Sequence, residues 1–180
     1  MASPTVVQTG QFLRMKTIMM LKLIDRTIQT VRRLSSELRP AVLDDLGLEA
    51  TIEWQMQEFK TRTGIRYKLT LPSKDLILDQ KQSTAVFRIF QETLTNVVRH
   101  SNATQVSISL RMKADNLILS VKDNGKGITE NEISDAKSLG LLGMRERALL
   151  LGGEVHIMGA HGKGTTVTVR VPIGEAGEKP

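Results

Sequence analysis

The sequence predicts an α+β domain preceded by one long N-terminal helix, and three observations carry the prediction. In Ile65–Leu71, apolar side chains (Ile65, Tyr67, Leu69, Leu71) occupy every second position, the period of a strand with one buried face. Phe12–Leu38 and Gln80–His100 instead space their apolar residues three and four apart, which gives a helix one apolar stripe. Val106–Met112 with Leu117–Val121, and Glu154–Met158 with Thr165–Val171, read as two strand pairs, each folded about a short turn.

Taken in order, residues 1–11 have no periodicity and read as a disordered or tag-like end. Residues 12–39 form the first helix, with Leu21, Ile24, Ile28, Val31, Leu34 and Leu38 along one stripe. Arg39-Pro40 stops it, because proline disfavours helix at the residue before it. Residues 40–48 form a junction in which Leu43-Asp44-Asp45-Leu46-Gly47-Leu48 is a short turn. Residues 49–173 then form the compact domain. Its first helix, Glu49–Thr61, turns Ile52, Met56 and Phe59 inward, and Gly64 caps it. The Ile65–Leu71 strand is closed by Pro72, and the Gln80–His100 helix follows with Val86, Phe87, Phe90, Leu94 and Val97 on one face. Lys113–Asn116 turns the first strand pair, and Thr129–Ser138 is a short loop. Gly143–Leu151 is a helix that ends at Gly152-Gly153, Gly159–Gly164 turns the last strand pair, and residues 174–180 are a flexible tail.

Composition narrows the functional classes. With 180 residues the chain can hold one sizeable core and an appendage. Aromatic residues are 3% of it, so the core has to be built from Leu, Ile, Val and Met. There is no cysteine, which excludes disulfides, thiolate metal sites and a cysteine nucleophile. No stretch approaches the roughly 18–20 apolar residues of a membrane span, so the chain reads as a cytoplasmic domain whose parent meets a membrane only through other parts. The net charge of +6 suggests nucleic acid, but nearly all the excess lies on Arg14, Lys16, Lys22, Arg26, Arg32, Arg33 and Arg39 of the first helix. With so few rings to stack on bases, no nucleic-acid partner is expected; a solvated helix face or an acidic protein partner suits that helix better.

Four short motifs carry the chemistry. Glu92 and Asn96 stand one turn apart on a helix and leave from one face. An amide oxygen with a carboxylate nearby suits a hard cation that keeps much of its water. Arg99 could then meet a phosphate, and a solvated polar face is the plainer alternative, although Ile89 on that side fits it poorly. Asp123-Asn124-Gly125-Lys126-Gly127-Ile128 ends a strand in a tight turn. The Asp123 carboxylate there can accept from the exocyclic amino group of adenine, while guanine presents an acceptor and would be repelled. An Asx turn is the plain reading of the same residues. Gly140-Leu141-Leu142-Gly143-Met144-Arg145 stands before a helix, where free N–H groups suit phosphates. Gly162-Lys163-Gly164-Thr165-Thr166 can be a simple hairpin turn, or Thr165 can assist Asp123.

Together, in this order, the four motifs resemble the N, G1, G2 and G3 boxes of the GHKL ATPase superfamily. More narrowly they resemble sensor histidine kinases of the NarL/DesK-like subfamily, and Leu34–Leu48 (LSSELRPAVLDDLGL) is similar to the junction in that subfamily between dimerisation helices and catalytic domain. The resemblance covers about residues 20–172. It implies a Bergerat fold, a mixed five-stranded sheet backed by helices on one face, with a lid near Thr129–Gly143. It implies ATP or ADP and Mg2+ as ligands. By position, Asn96 and Glu92 are the implied catalytic and metal-binding pair, Arg99 a phosphate contact and His100 a ring beside the nucleotide. Asp123 is the implied base reader. Gly125, Gly127, Gly140, Gly143, Gly164 and Thr165 match the loop positions, with Ile128, Leu142 and Met144 beside them.

The implied activity is phosphoryl transfer from Mg-ATP to a histidine and onward to the receiver domain of a response regulator, with homodimerisation through the dimerisation helices. The 12–39 helix matches the second of these. An acceptor histidine in this subfamily is followed by Asp or Glu, whereas His100 precedes Ser101, His156 precedes Ile157 and His161 precedes Gly162. The chain is therefore expected to be a fragment that binds nucleotide without phosphorylating itself. A GHKL anti-sigma-type kinase acting on Ser or Thr is the alternative.

Overall fold

In a computed structural model of the chain, the residues described are Lys16, Met20, 41–73, 76–134 and 138–173. The chain divides into two compact units, Met1–Ala41 and Val42–Pro180. Lys16 and Met20 are helical; the rest of the expected 12–39 helix lies outside the described residues. No described helix is long and apolar enough to cross a membrane.

The second unit is a five-stranded sheet with helices on one face. Its elements are helix α1 (Ala41–Thr63), strand β1 (Arg66–Thr70), helix α2 (Gln80–Asn96), strands β2 (Gln105–Lys113) and β3 (Asn116–Asp123), helices α3 (Glu130–Ser134) and α4 (Leu139–Leu149), and strands β4 (Glu154–Gly159) and β5 (Thr165–Pro172). The strand order is β1-β2-β3-β5-β4, with β1 parallel to β2 and every other pair antiparallel. A mixed sheet with a parallel edge pair needs a crossover, which α2 supplies.

Alternation decides which face is covered. Along β3, Leu117, Leu119 and Val121 are buried and face Val171, Val169 and Val167 of β5. On β2, Val106, Ile108 and Leu110 do the same, while Ser107, Ser109 and Arg111 stay on the open side. A period of two thus sends one set of side chains under the helices and the other to water. Ile52, Met56 and Phe59 of α1 join this core with Val86, Phe87, Ile89, Phe90 and Leu94 of α2 and Met144 and Ala148 of α4. Removing each large side chain from water contributes about 1.5–3 kcal/mol, so this layer dominates the stability.

Three local features differ from the sequence expectation. Helix α1 begins at Ala41, so the junction is helical except at Gly47, whose φ of 79° and ψ of 179° break the spiral at one residue. Glycine has no side chain to oppose that conformation. Leu43 before the break and Leu48 after it are both buried, so packing continues through it. The expected Gln80–His100 helix is α-helical only to Asn96 and ends in a wider π-helical turn, Val97–Ser101. Its start is fixed by reciprocal bonds, with Asp79 accepting from the Gln82 N–H at 2.7 Å and Gln82 accepting from the Asp79 N–H at 3.0 Å. Finally, the Thr129–Ser138 loop contains the short helix α3, and α4 starts at Leu139, so Gly140 and Gly143 lie inside its first turns and not ahead of it.

Candidate nucleotide-binding site

A cavity of about 510 Å³ opens between α2, the loop after β3, the start of α4 and the β3, β5 and β4 strands of the sheet. Of the residues singled out from sequence, Glu92, Asn96, Arg99, His100, Asp123, Gly127, Ile128, Gly140 and Thr165 line it. The four motifs, far apart in the chain, therefore meet around one hollow. Gly125, Leu142, Gly143, Met144 and Gly164 lie outside its lining. Met144 is fully buried and its sulfur accepts from the Thr93 hydroxyl at 3.4 Å, so it pins α4 to α2.

The face of α2 that carries Glu92 and Asn96 is not a solvated one. Ile89 and Thr93 on it are buried, at 0% and 4% exposure, because α4 lies across that side. Asn96 and Glu92 remain half-buried at the cavity wall. Gly140 passes so near Glu92 that a Cβ there would fall on the carboxylate oxygen. Beyond Asn96 the wide turn carries Arg99 and His100, both exposed, to the cavity mouth.

Asp123 ends β3 with 5% of its surface exposed. Its Oδ1 accepts from the Gly125 N–H at 2.8 Å and its Oδ2 from the Thr165 N–H at 3.2 Å. An ionised carboxylate has about four acceptor sites, so two bonds leave lone pairs for the cavity. Next to it, Asn124 points the other way. Its Oδ1 accepts from the Thr104 and Gln105 N–H groups at 2.9 Å, and its Nδ2 donates to the Thr104 hydroxyl at 3.0 Å. Asn124 therefore fastens the loop to the start of β2, a structural role that the motif alone did not reveal.

Residues 81–175 match the family model of the histidine kinase-, DNA gyrase B-, and HSP90-like ATPases. The chain belongs to this family. It is also 37% identical over 151 residues to the oxygen sensor histidine kinase NreB of Staphylococcus carnosus (strain TM300), an alignment covering 84% of this chain and 44% of that protein. The chain thus spans less than half the length of that curated relative. Two solved structures share the fold. The Acinetobacter baumannii histidine kinase AdeS superposes with a TM-score of 0.64 at 15% identity, covering 96% of both chains. The blue-light activated histidine kinase of Erythrobacter litoralis EL346 gives 0.61 at 20% identity, over 70% of this chain and 42% of that one. The resemblance to sensor histidine kinases and the mixed five-stranded fold expected from it are both met.

Within this ATPase domain, sequence reasoning missed the cavity's apolar floor. Val121, Val167 and Ile157 sit side by side on β3, β5 and β4 and line the hollow. In sequence each looks like ordinary core, and only the cross-strand register brings them together beneath a site. A flat apolar row suits the face of a purine ring.

The rim carries a pH-sensitive contact. Glu132 of α3 accepts from the Thr129 N–H at 2.8 Å and from the Thr129 hydroxyl at 2.9 Å, a cap on that short helix. The backbone bond from Thr129, then its hydroxyl, holds the Glu132 carboxyl below the usual glutamate range, and Lys126 and His100 add smaller attractions. A depressed folded pKa means the cap contributes fully above the ordinary glutamate value and is lost as pH falls through the lowered one. Side-chain carbon NMR should therefore place the Glu132 midpoint below that of a free glutamate. The protection of the Thr129 amide, its exchange rate relative to a free peptide at the same pH, should fall as pH drops through that midpoint; protection that ignores it refutes the cap.

Proposed function

We propose that the chain is the ATP-binding catalytic domain of a two-component sensor histidine kinase. It holds Mg-ATP so that a phosphoryl group can pass to a histidine outside the motifs described and onward to a response-regulator receiver domain. The observation that carries this reading is Asp123, a buried acid held by two backbone N–H groups on the wall of the cavity that Asn96 also lines.

The donor set fits magnesium with nucleotide. Among the described residues no group of three or more His, Asp or Glu side chains could hold a metal alone. A cation here would have Asn96 and Glu92 from the protein and would complete its shell with water and phosphate oxygens, as magnesium does and zinc does not. The bound metal and triphosphate would supply the transferable group and the charge that activates it. The protein's own part is positioning. Asp123 accepts from the base amino group, the Val121–Val167–Ile157 row supports the ring, and Asn96 orients the metal. Arg99 meets phosphate charge at the mouth, and the α4 N-terminus, where the Ser138 hydroxyl donates to the Glu132 carbonyl and does not cap the helix, offers N–H groups there.

The test is calorimetry with Mg-ATP and Mg-GTP. Binding of the first and at least tenfold weaker binding of the second is the expected result; equal affinities would sink the adenine reading. In Asn96→Ala the gain in affinity that magnesium gives ADP should disappear while ADP still binds. After incubation with γ-labelled ATP the chain itself should carry no label, because none of His100, His156 and His161 has an acidic residue behind it. Label on this chain would refute that part.

A further inference from the structure

We propose that Ser101 is a positioning residue that couples the base-reading half of the cleft to its metal- and phosphate-facing half; the inference rests on the nucleotide reading above. Ser101 ends the π-helical turn Val97–Ser101, directly after the α2 segment that carries Glu92 and Asn96. It is 6% exposed. Its hydroxyl donates to the Val97 carbonyl at 2.8 Å and accepts from the Ala103 N–H at 3.0 Å. Its own carbonyl accepts from the Lys126 N–H at 2.7 Å, in the loop that follows Asp123.

The contact is tight as well as bonded. A Cβ on Gly125 would fall on the Ser101 carbonyl oxygen and come within 2.7 Å of the Ser101 Cβ. One residue thus ties two parts of the chain. On one side is the turn that sets Arg99 and His100, and on the other is the loop that directly follows Asp123. Wide turns interrupt the regular helical ladder and persist where something holds them. Here that hold is a hydroxyl used as donor and acceptor at once, a capacity alanine lacks. Without it the Val97 carbonyl loses its side-chain donor and the Ala103 N–H its side-chain acceptor, both on buried residues, and the turn is free to rewind. Each residue of a helix advances about 100° around the axis, so even a partial rewinding re-aims Arg99 and His100.

The experiment compares ADP and GDP, with and without magnesium, in the unmodified chain and in Ser101→Ala. Asp123→Asn should lose the base preference and keep the magnesium gain, and Asn96→Ala should do the reverse. Ser101→Ala should lose part of both, with Mg-ADP bound about fivefold more weakly, the worth of one buried hydrogen bond. A Ser101→Ala chain that melts earlier yet keeps the full base preference or the full magnesium gain overturns the coupling and leaves a structural role. An unmodified chain that binds no ADP overturns the nucleotide reading itself. Amide exchange on the unmodified chain guards against a variant that does not fold. Adenosine, which carries no phosphate for Arg99 to meet, should slow exchange at Val98 and Arg99 as well as at residues 124–127, and protection confined to one side of Ser101 overturns the proposal.

Discussion

Asp123→Asn should weaken Mg-ATP binding by about 30- to 150-fold, taking the lost charged hydrogen bond as roughly 2–3 kcal/mol. The reasoning is geometric. Both carboxylate oxygens already accept from backbone N–H groups, Gly125 on one side and Thr165 on the other. An amide keeps one acceptor and turns the other into a donor. Whichever way it rotates, an NH2 group opposes a backbone N–H, and one lone pair facing the cavity is lost. Preference for ATP over GTP should shrink in the same variant, because the repulsion that guanine meets comes from that carboxylate. Calorimetry with both nucleotides checks this, and a variant binding ATP as tightly as the unmodified chain would remove Asp123 from base recognition.

Gly164→Ala should be among the most damaging single methyls in the domain, costing about 3 kcal/mol of stability. Gly164 has a φ of +76°, where an L side chain costs roughly 1–2 kcal/mol. A Cβ would also fall on the Asp123 carbonyl oxygen and lie 3.1 Å from the Asn124 Cα. The start of β5 would have to withdraw, taking the Thr165 N–H from Asp123 with it, so nucleotide affinity should fall as well. Gly162 is the internal control: its φ is +74°, yet a Cβ there meets nothing within 4 Å. Urea unfolding followed by circular dichroism should show Gly162→Ala losing only the conformational part. Equal losses at the two positions would mean that the overlap at Gly164 is relieved cheaply.

What could be read from sequence was whatever local periodicity encodes. The strands of this domain have one covered face, so Leu117, Leu119 and Val121 announce themselves by alternation, as do Tyr67 and Leu69 on β1. The stripe Val86, Phe87, Phe90, Leu94 marks α2 in the same way, and Ile89 on the opposite side stood out as odd for a solvated face. The features that local pattern could not disclose depend on partners distant in the chain. Gly140 and Gly143 read as glycines ahead of a helix, but α4 runs through them because Met144 and Ala148 are buried in the core. The wide turn after Asn96 is held by Ser101 and the loop beyond Asp123, and nothing in Val97–Ser101 alone signals it. The helix α3 rests on five residues and a Thr129–Glu132 cap, too short for periodicity to register. Of the candidate site, the polar residues of the four motifs were legible, while Thr93, Ser101, Glu132 and Ser138 on its wall were not. The apolar floor was not, because its members are distinguishable from core only by register.

The sheet order has a consequence for synthesis. The last of these five strands to leave the ribosome, β5, is not an edge but the inner neighbour of β3. Until it arrives, β3 has one naked hydrogen-bonding edge and Asp123 lacks its Thr165 partner. A nascent or truncated chain ending before residue 165 is therefore an aggregation hazard with an unfinished pocket.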